Sequence, residues 1–343
     1  MHILHVIHRL WPGGGTETHV LTLARTLAAQ GNTVSVFTAG GPWTAHLRRL
    51  EIPVVTGPWR ISALRQTIRA LGADVVHVHD TPGYRLAAAL GGTTRVIVTV
   101  HGLYAQPAAL RRVARRAHAV IAVSPAAGRY AVGVGVHPGK VVVIPNGVPP
   151  CRAGAVRRSK GRFVIGYAGR FTLGKRALGL RVIRAAARFA ARHQDVTVLV
   201  AGHGSPSAVT RYPGVRVLGH LDDLALFYRS CDLVIGTGRV AMEAIRCGVP
   251  VLAIGMGGYL GLITRRNFRR ALRTNFGDHA VPRIPWTAAR LHDDLGRCRA
   301  HLDDLRREAQ HLRRIAGGAI SSATMARRTL RLYRGDLPGA GLR

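Results

Sequence analysis

Short runs of β-branched and aliphatic residues alternate with longer stretches whose apolar positions recur every three or four residues, almost from one end of the chain to the other. Apolar runs of that length read as strands buried on both faces, and the periodic stretches as helices that cover them. The pattern is that of parallel sheets wrapped by helices, a doubly wound α/β architecture. In the first half it predicts strands over residues 2–8, 33–39, 75–80, 96–101, 119–124 and 141–145, with helices between them. The clearest helix is 16–30, where Val20, Leu23, Ala24, Leu27 and Ala28 share one face and Gly31 supplies the stop.

The stretch PPCRAGAVRRSKG breaks this periodicity with Pro, Gly and Arg, and residues 151–161 within it are the predicted linker. The pattern then restarts, with strands over 163–168, 196–201, 215–218, 233–236 and 251–254 and helices near 175–193, 224–230 and 240–247. Two doubly wound domains are therefore expected, 1–150 and 162–318, followed by a helix over 319–334 and a frayed tail over 335–343. Domains of this kind joined by a hinge leave a cleft facing the carboxyl ends of both sheets, where ligands bind.

Composition narrows the class. A chain of 343 residues that is 47% hydrophobic suits two globular domains and excludes disorder over most of its length. No apolar run approaches the roughly 20 residues that cross a bilayer, and MHILHVIHRL lacks the basic start and long apolar run of a signal peptide. A cytoplasmic location is the expectation. Cys151, Cys231, Cys247 and Cys298 are scattered without a CxxC pair, so reduced thiols are expected rather than a zinc site or a disulfide framework.

The 50 basic residues stand against 16 acidic ones, a formal charge of +34. Such a surface attracts phosphates or anionic lipid head groups, which makes peripheral attachment at the inner face of the membrane an expectation. Biased codon usage competes with that reading, because the arginines are spread along the chain and only Lys140, Lys160 and Lys175 are lysines. Nucleic acid is not an expected partner, since there is no recognition motif, no clustered basic helix and only 6% aromatic residues for stacking.

Several strand ends carry candidate chemistry. After the first strand, Gly13-Gly14-Gly15 runs into the 16–30 helix, where a glycine backbone and free helix N–H groups can approach an anion; a plain glycine turn, with Glu17 complementing the helix dipole, is the alternative. The spacing is not GxGxxG, so a dinucleotide is not indicated. His101 ends a strand beside Gly102, where it either meets a substrate or packs structurally; His77 and His79 end another, with no third histidine at metal spacing, so packing is favoured over a metal. In the second half, Gly169-Arg170 and Lys175 flank a turn that suits a diphosphate, or form a solvated surface pair. Gly202-His203-Gly204 breaks a buried strand, and Glu243 lies one turn into an apolar helix, where it holds a ligand hydroxyl or pairs with Arg239 at i, i+4.

Taken in order, these pieces resemble the family 4 glycosyltransferases (GT4) of the GT-B fold over roughly residues 1–260. The likeness rests on Gly14-Gly15-Thr16-Glu17, His101, Val123-Ser124, Ile144-Pro145-Asn146-Gly147-Val148, Gly169-Arg170 with Lys175, Gly202 with Gly204, and Glu243-Ala244 followed by Cys247-Gly248-Val249-Pro250-Val251. It implies two Rossmann-like domains facing across a cleft, a last helix that crosses back to the first, a UDP- or GDP-linked sugar donor and transfer with retention. By the same resemblance Arg170 and Lys175 meet the diphosphate, Glu243 the ribose, and Gly202, His203 and Gly204 the base. Gly14 and Gly15 touch the donor from the other domain, and His101, Glu17, Ser124 and Asn146 orient donor and acceptor. No metal is required in this scheme, and the acceptor is unspecified.

One departure stands out. The family carries an acid eight residues before the Glu243 position, and here that residue is Ile235, which leaves Thr237 or the amides of residues 255–258 to hold the donor sugar. The segment Thr274-Asn275-Phe276-Gly277-Asp278-His279 is distinctive but has no account from sequence. A nucleotide-sugar epimerase of the same fold, a non-catalytic nucleotide-binding homologue and a nucleic-acid or anionic-surface binding protein are the competing readings.

Overall fold

The computed structural model describes residues 1–92, 94–152, 154, 161–171, 174–204 and 209–336. The chain forms two compact units, Met1–Gly147 with Ser321–Arg343, and Val148–Ile320.

Unit 1 holds strands β1 (His2–Val6), β2 (Thr33–Thr38), β3 (Val54–Thr56), β4 (Val75–Val78), β5 (Arg95–Val100), β6 (Ala119–Ala122) and β7 (Val141–Val143). They form one parallel sheet in the order β3-β2-β1-β4-β5-β6-β7. Because strand side chains alternate, Val96, Val98, Val100 and Val120 fill the core on one face, and Ile97 and Ile121 fill the other. The second face is covered by the Gly15–Ala28 helix through Val20, Leu23 and Leu27, and by the Ser322–Arg334 helix through Met325, Ala326 and Tyr333. That last helix is tied in by the Gly147 N–H, which points at Met325 Sδ at 3.0 Å, and by Arg95 Nη1, which donates to the Tyr333 carbonyl at 2.7 Å.

Unit 2 repeats the plan with β8 (Phe163–Ala168), β9 (Val196–Ala201), β10 (Val215–Gly219), β11 (Leu233–Gly236), β12 (Val251–Gly255) and β13 (Gly258–Leu262), in the order β10-β9-β8-β11-β12-β13. All neighbours are parallel except β12 and β13. In each sheet the strand order reverses once, between β1 and β4 and between β8 and β11, and the crevice outside such a point is where ligands of open α/β sheets bind.

The structure corrects several expectations. Strands predicted to run to Asp80, His101 and Ser124 stop at Val78, Val100 and Ala122, because the polar residues beyond leave the ladder to cap helices or to meet one another. β3 was too short and β13 too glycine-rich to register as strands. The break between units falls at Gly147/Val148 and Ile320/Ser321 rather than at 150 and 318. Part of the predicted linker (153 and 155–160) and most of the predicted tail (337–343) lie outside the described residues. The expected reduced thiols are replaced, for two of the four, by a Cys151–Cys247 disulfide with Cα atoms 5.1 Å apart, while Cys231 and Cys298 are free and buried. Two cysteines 96 positions apart carry no spacing signal, so only the fold reveals the pairing.

Candidate active site

In unit 1 the strand ends at the β1/β4 switch point converge on histidine. Folding leaves β1 and β4 adjacent and in register, with His5 opposite His77. His77 is fully buried, with Nδ1 2.5 Å from the Tyr333 hydroxyl and Nε2 2.7 Å from Thr99 Oγ1. His5 Nδ1 and His79 Nε2 share a hydrogen bond of 2.9 Å, and His79 Nδ1 lies 3.4 Å from His101 Nε2. His19, on the buried face of the Gly15–Ala28 helix, stacks edge-on to His101 with ring centroids 4.7 Å apart, and its Nδ1 donates to Asn146 Oδ1 at 2.9 Å. Burial, reinforced by the neighbouring rings, lowers the pKa of His5 to about 3 and those of His77 and His79 well below the ordinary value, so these imidazoles are neutral.

The third histidine that sequence spacing lacked is therefore supplied in space, and more than once. Ring nitrogens of His5, His77 and His79, and separately of His19, His79 and His101, lie within 4.8 Å of one another. Both nitrogens of His77 are already engaged in hydrogen bonds, so the arrangement reads as a connected neutral network that leads outward to the half-buried His101. Asp80 fixes the rim: Oδ2 accepts the His8 N–H at 2.7 Å, and Oδ1 accepts the Gly83 N–H at 2.8 Å as the cap of the Thr81–Ala87 helix.

The other predicted residues of unit 1 divide by environment. Gly14 is the N-cap of its helix, and a Cβ there would collide with the Glu17 carboxylate, which folds back over it. Gly15 has open space around its Cα. Ser124 is fully buried, and its Oγ accepts the Ala127 N–H to cap the Pro125–Gly133 helix, a structural task. The structure thus brings His101 and Asn146 together through His19 and places Ser124 in a helix cap.

In unit 2 the exits of β8 and β9 run on side by side beyond the sheet. The Gly169 N–H donates to the Ala201 carbonyl at 3.1 Å and the Phe171 N–H to the His203 carbonyl at 3.0 Å, which sets Arg170 between two anchored residues. Gly202, at φ 144°, packs so closely on the Gly169 carbonyl that no side chain fits. Arg170 is half-buried and has no acidic partner among the described residues. Lys175 is different: its Nζ reaches both carboxylate oxygens of Asp278, at 2.9 and 3.1 Å. Burial pushes the Asp278 carboxyl up, but the charges of Lys175 and His279 pull it down and win, so it stays ionised.

Glu243 sits in the Gly238–Arg246 helix with both oxygens engaged. Arg239 Nη2 donates to Oε1 at 3.2 Å, and the buried Tyr228 hydroxyl donates to Oε2 at 2.9 Å. Ile235 is fully buried inside β11, so its position faces the core and not a ligand. The proposed substitutes are at least partly engaged elsewhere. The Thr237 hydroxyl donates to the Phe276 carbonyl at 2.7 Å, and the Gly257 N–H is taken by the Gly277 carbonyl at 2.9 Å.

Residues 13–152 match the family description Glycosyltransferase Family 4, and residues 162–272 match Glycosyl transferases group 1. A phosphatidyl-myo-inositol mannosyltransferase of Propionibacterium freudenreichii is 30% identical over 300 residues, covering 73% of this chain and 76% of the relative. The chain belongs to glycosyltransferase family 4. The phosphatidyl-myo-inositol mannosyltransferase of Mycobacterium tuberculosis is 26% identical to this glycosyltransferase over 333 residues, 82% of this chain and 83% of the relative. Its GT-B fold is shared with a glycosyltransferase from Rickettsia africae, at a TM-score of 0.75, 18% identity and 97% coverage of each chain. Anabaena Alr3699/HepE, solved in complex with UDP-glucose, gives a TM-score of 0.74 at 18% identity, covering 98% of this chain and all of that one.

Residues of this glycosyltransferase that sequence reasoning missed are His5, His19, Tyr228 and Asp278. His19 carried a signal, since it shares a helical face with Leu23 and Leu27 and was bound to be buried. Asp278 lay within a segment already marked as distinctive. Tyr228 and His5 carried none.

Proposed function

We propose that the chain moves a sugar from a nucleotide-diphosphate sugar to a lipid-linked, inositol-type acceptor with retention of anomeric configuration. The observation that carries the donor half is the edge of the unit 2 sheet, where Arg170 follows the Gly169 carbonyl that packs on Gly202, and Lys175, on the N-terminal end of the next helix, reaches Asp278. The glycine turn admits a flat base or a phosphate close to backbone, and the Arg170 guanidinium, with the Asp278-paired Lys175 ammonium, offsets the charge that builds on a departing diphosphate. No metal is invoked for that step. Glu243, held by Tyr228 and Arg239, presents a fixed carboxylate for ribose hydroxyls. Gly202, His203 and Gly204 face the base, and Gly14 and Gly15 offer backbone N–H groups to the donor. His101, at the outer end of the histidine network, is suited to hydrogen-bond a sugar hydroxyl.

The lipid-linked inositol acceptor is supported by the names of the curated relatives, and attachment to an anionic surface by the +34 charge. An epimerase of the same fold has less support, because both family descriptions and those relatives are transferases. The test is incubation of purified protein with GDP-mannose or UDP-glucose and vesicles containing phosphatidylinositol, with products read by mass spectrometry and anomeric configuration by NMR. A glycosylated lipid of the donor's own configuration is expected. An inverted product removes the retaining mechanism, and a free isomerised donor with no acceptor product favours the epimerase.

A further inference from the structure

The turn Thr274–His279 does something that the family pattern does not account for. Asn275, Phe276 and Gly277 have φ values of 49°, 57° and 87°, three successive left-handed residues of which only one is glycine. Each non-glycine residue in that region costs on the order of 1–2 kcal/mol, and such strain persists only where the surroundings enforce it. Here Phe276 is fully buried, and its carbonyl and that of Asn275 take the Thr237 hydroxyl. The turn lies hard against the end of β12: a Cβ on Gly255 would stand 2.6 Å from the Asp278 nitrogen. All of this fixes one carboxylate, that of Asp278, at the carboxyl edge of β11 and β12, next to the β8/β11 switch point.

Asp278 and Lys175 form an ion pair of uneven exposure. The lysine side chain is 42% exposed and the aspartate 15%, so the pair opens to solvent mainly through the ammonium group. A bare lysine would suit a diphosphate better, because the carboxylate cancels much of its charge. What the pair offers instead is an N–H donor and carboxylate lone pairs side by side, the combination a sugar hydroxyl uses when it accepts from one group and donates to the other. Among the described residues at this edge, the Ile235 position carries no acid and Glu243 is the carboxylate assigned to the ribose, which leaves Asp278 for the sugar.

We infer that Asp278 is the carboxylate that receives hydroxyl groups of the donor sugar, with Lys175 bridging from it to the adjoining phosphate. The assignment rests on unit 2 being the donor site. It makes Asp278 a determinant of sugar recognition, supplied from a different loop than the acid whose position Ile235 occupies.

The experiment is calorimetric titration of UDP, GDP, UDP-glucose and GDP-mannose into the full-length protein, its Asp278→Asn variant and a Lys175→Met variant. Asp278→Asn is expected to weaken binding of the preferred sugar nucleotide at least tenfold, because a charge-assisted hydrogen bond is lost. Binding of the matching nucleoside diphosphate should change less than threefold or tighten, since Lys175 is released. Lys175→Met should weaken both ligands. If melting shows that Asp278→Asn does not fold, Asp278→Glu keeps the ion pair while displacing the carboxylate and should show the same selective loss. Equal factors for the diphosphate and the sugar nucleotide overturn the assignment to Asp278 alone. Wild-type protein that binds none of the four overturns the donor reading itself.

Discussion

Acidification should destabilise unit 1 through histidines that folding keeps neutral. His5, His77 and His79 are no more than 2% exposed, and burial lowers their pKa values, that of His5 to about 3. In the unfolded chain each returns to about 6.5 and takes up a proton at pH 5.5. A group whose pKa is depressed by folding contributes stability that is complete above its unfolded pKa and is lost as pH falls toward its folded one. For each such histidine the loss between pH 7.5 and pH 5.5 is about 1.4 kcal/mol, set by the unfolded value alone once the folded value lies far below the window. Three of them give about 4 kcal/mol, against a typical total of roughly 5–15 kcal/mol. Asp80, whose carboxyl is pushed up by burial, acts in the opposite sense, so the diagnostic is a difference between two proteins. Urea unfolding followed by tryptophan fluorescence reports mostly on unit 1, which holds Trp11, Trp43 and Trp59. The His5→Gln variant should lose about 1.4 kcal/mol less than wild type over that pH interval. Identical pH dependence in the two proteins would refute the neutral, buried state of His5.

Three further outcomes are expected. Gly202→Ala drives a Cβ into the Gly169 carbonyl at a φ that side chains rarely adopt, and should lower unit 2 stability by about 2 kcal/mol or more and abolish nucleotide binding, as read by melting and calorimetry. Tyr228→Phe removes the hydroxyl that donates to Glu243 and should cost about 1.5 kcal/mol in urea unfolding of unit 2; an unchanged midpoint would show that water replaces it. Alkylation in denaturant without reductant should modify two of the four cysteines, leaving Cys151 and Cys247 protected, and reduction should lower stability by about 2–4 kcal/mol.

The architecture was legible because strands buried on both faces must be apolar throughout, and runs such as Val96 to Val100 or Leu233 to Ile235 have few other uses. A residue type was legible where the backbone demanded it, as at Gly202, whose close approach to Gly169 admits nothing larger. What stayed hidden depended on pairs brought together by the fold. His5 and His79 are 74 positions apart, Lys175 and Asp278 are 103, and no local pattern links them. Glu243 shows the intermediate case: the i, i+4 partner Arg239 was readable from helix geometry, and the Tyr228 hydroxyl on the other oxygen was not.

Unit 2 is one uninterrupted stretch, and its ends meet where the Val148 N–H donates to the Ile320 carbonyl at 2.9 Å. Unit 1 is instead built from both ends of the chain, and the last helix brings it Tyr333, the partner of His77. On the ribosome the two therefore finish in the reverse of the order in which they begin. Unit 2 has every residue it needs once Ile320 has emerged, while the first sheet, translated long before, keeps one face only partly covered until residues 322–334 follow. A stop codon in place of residue 321 leaves unit 2 with its core whole and unit 1 without its final helix.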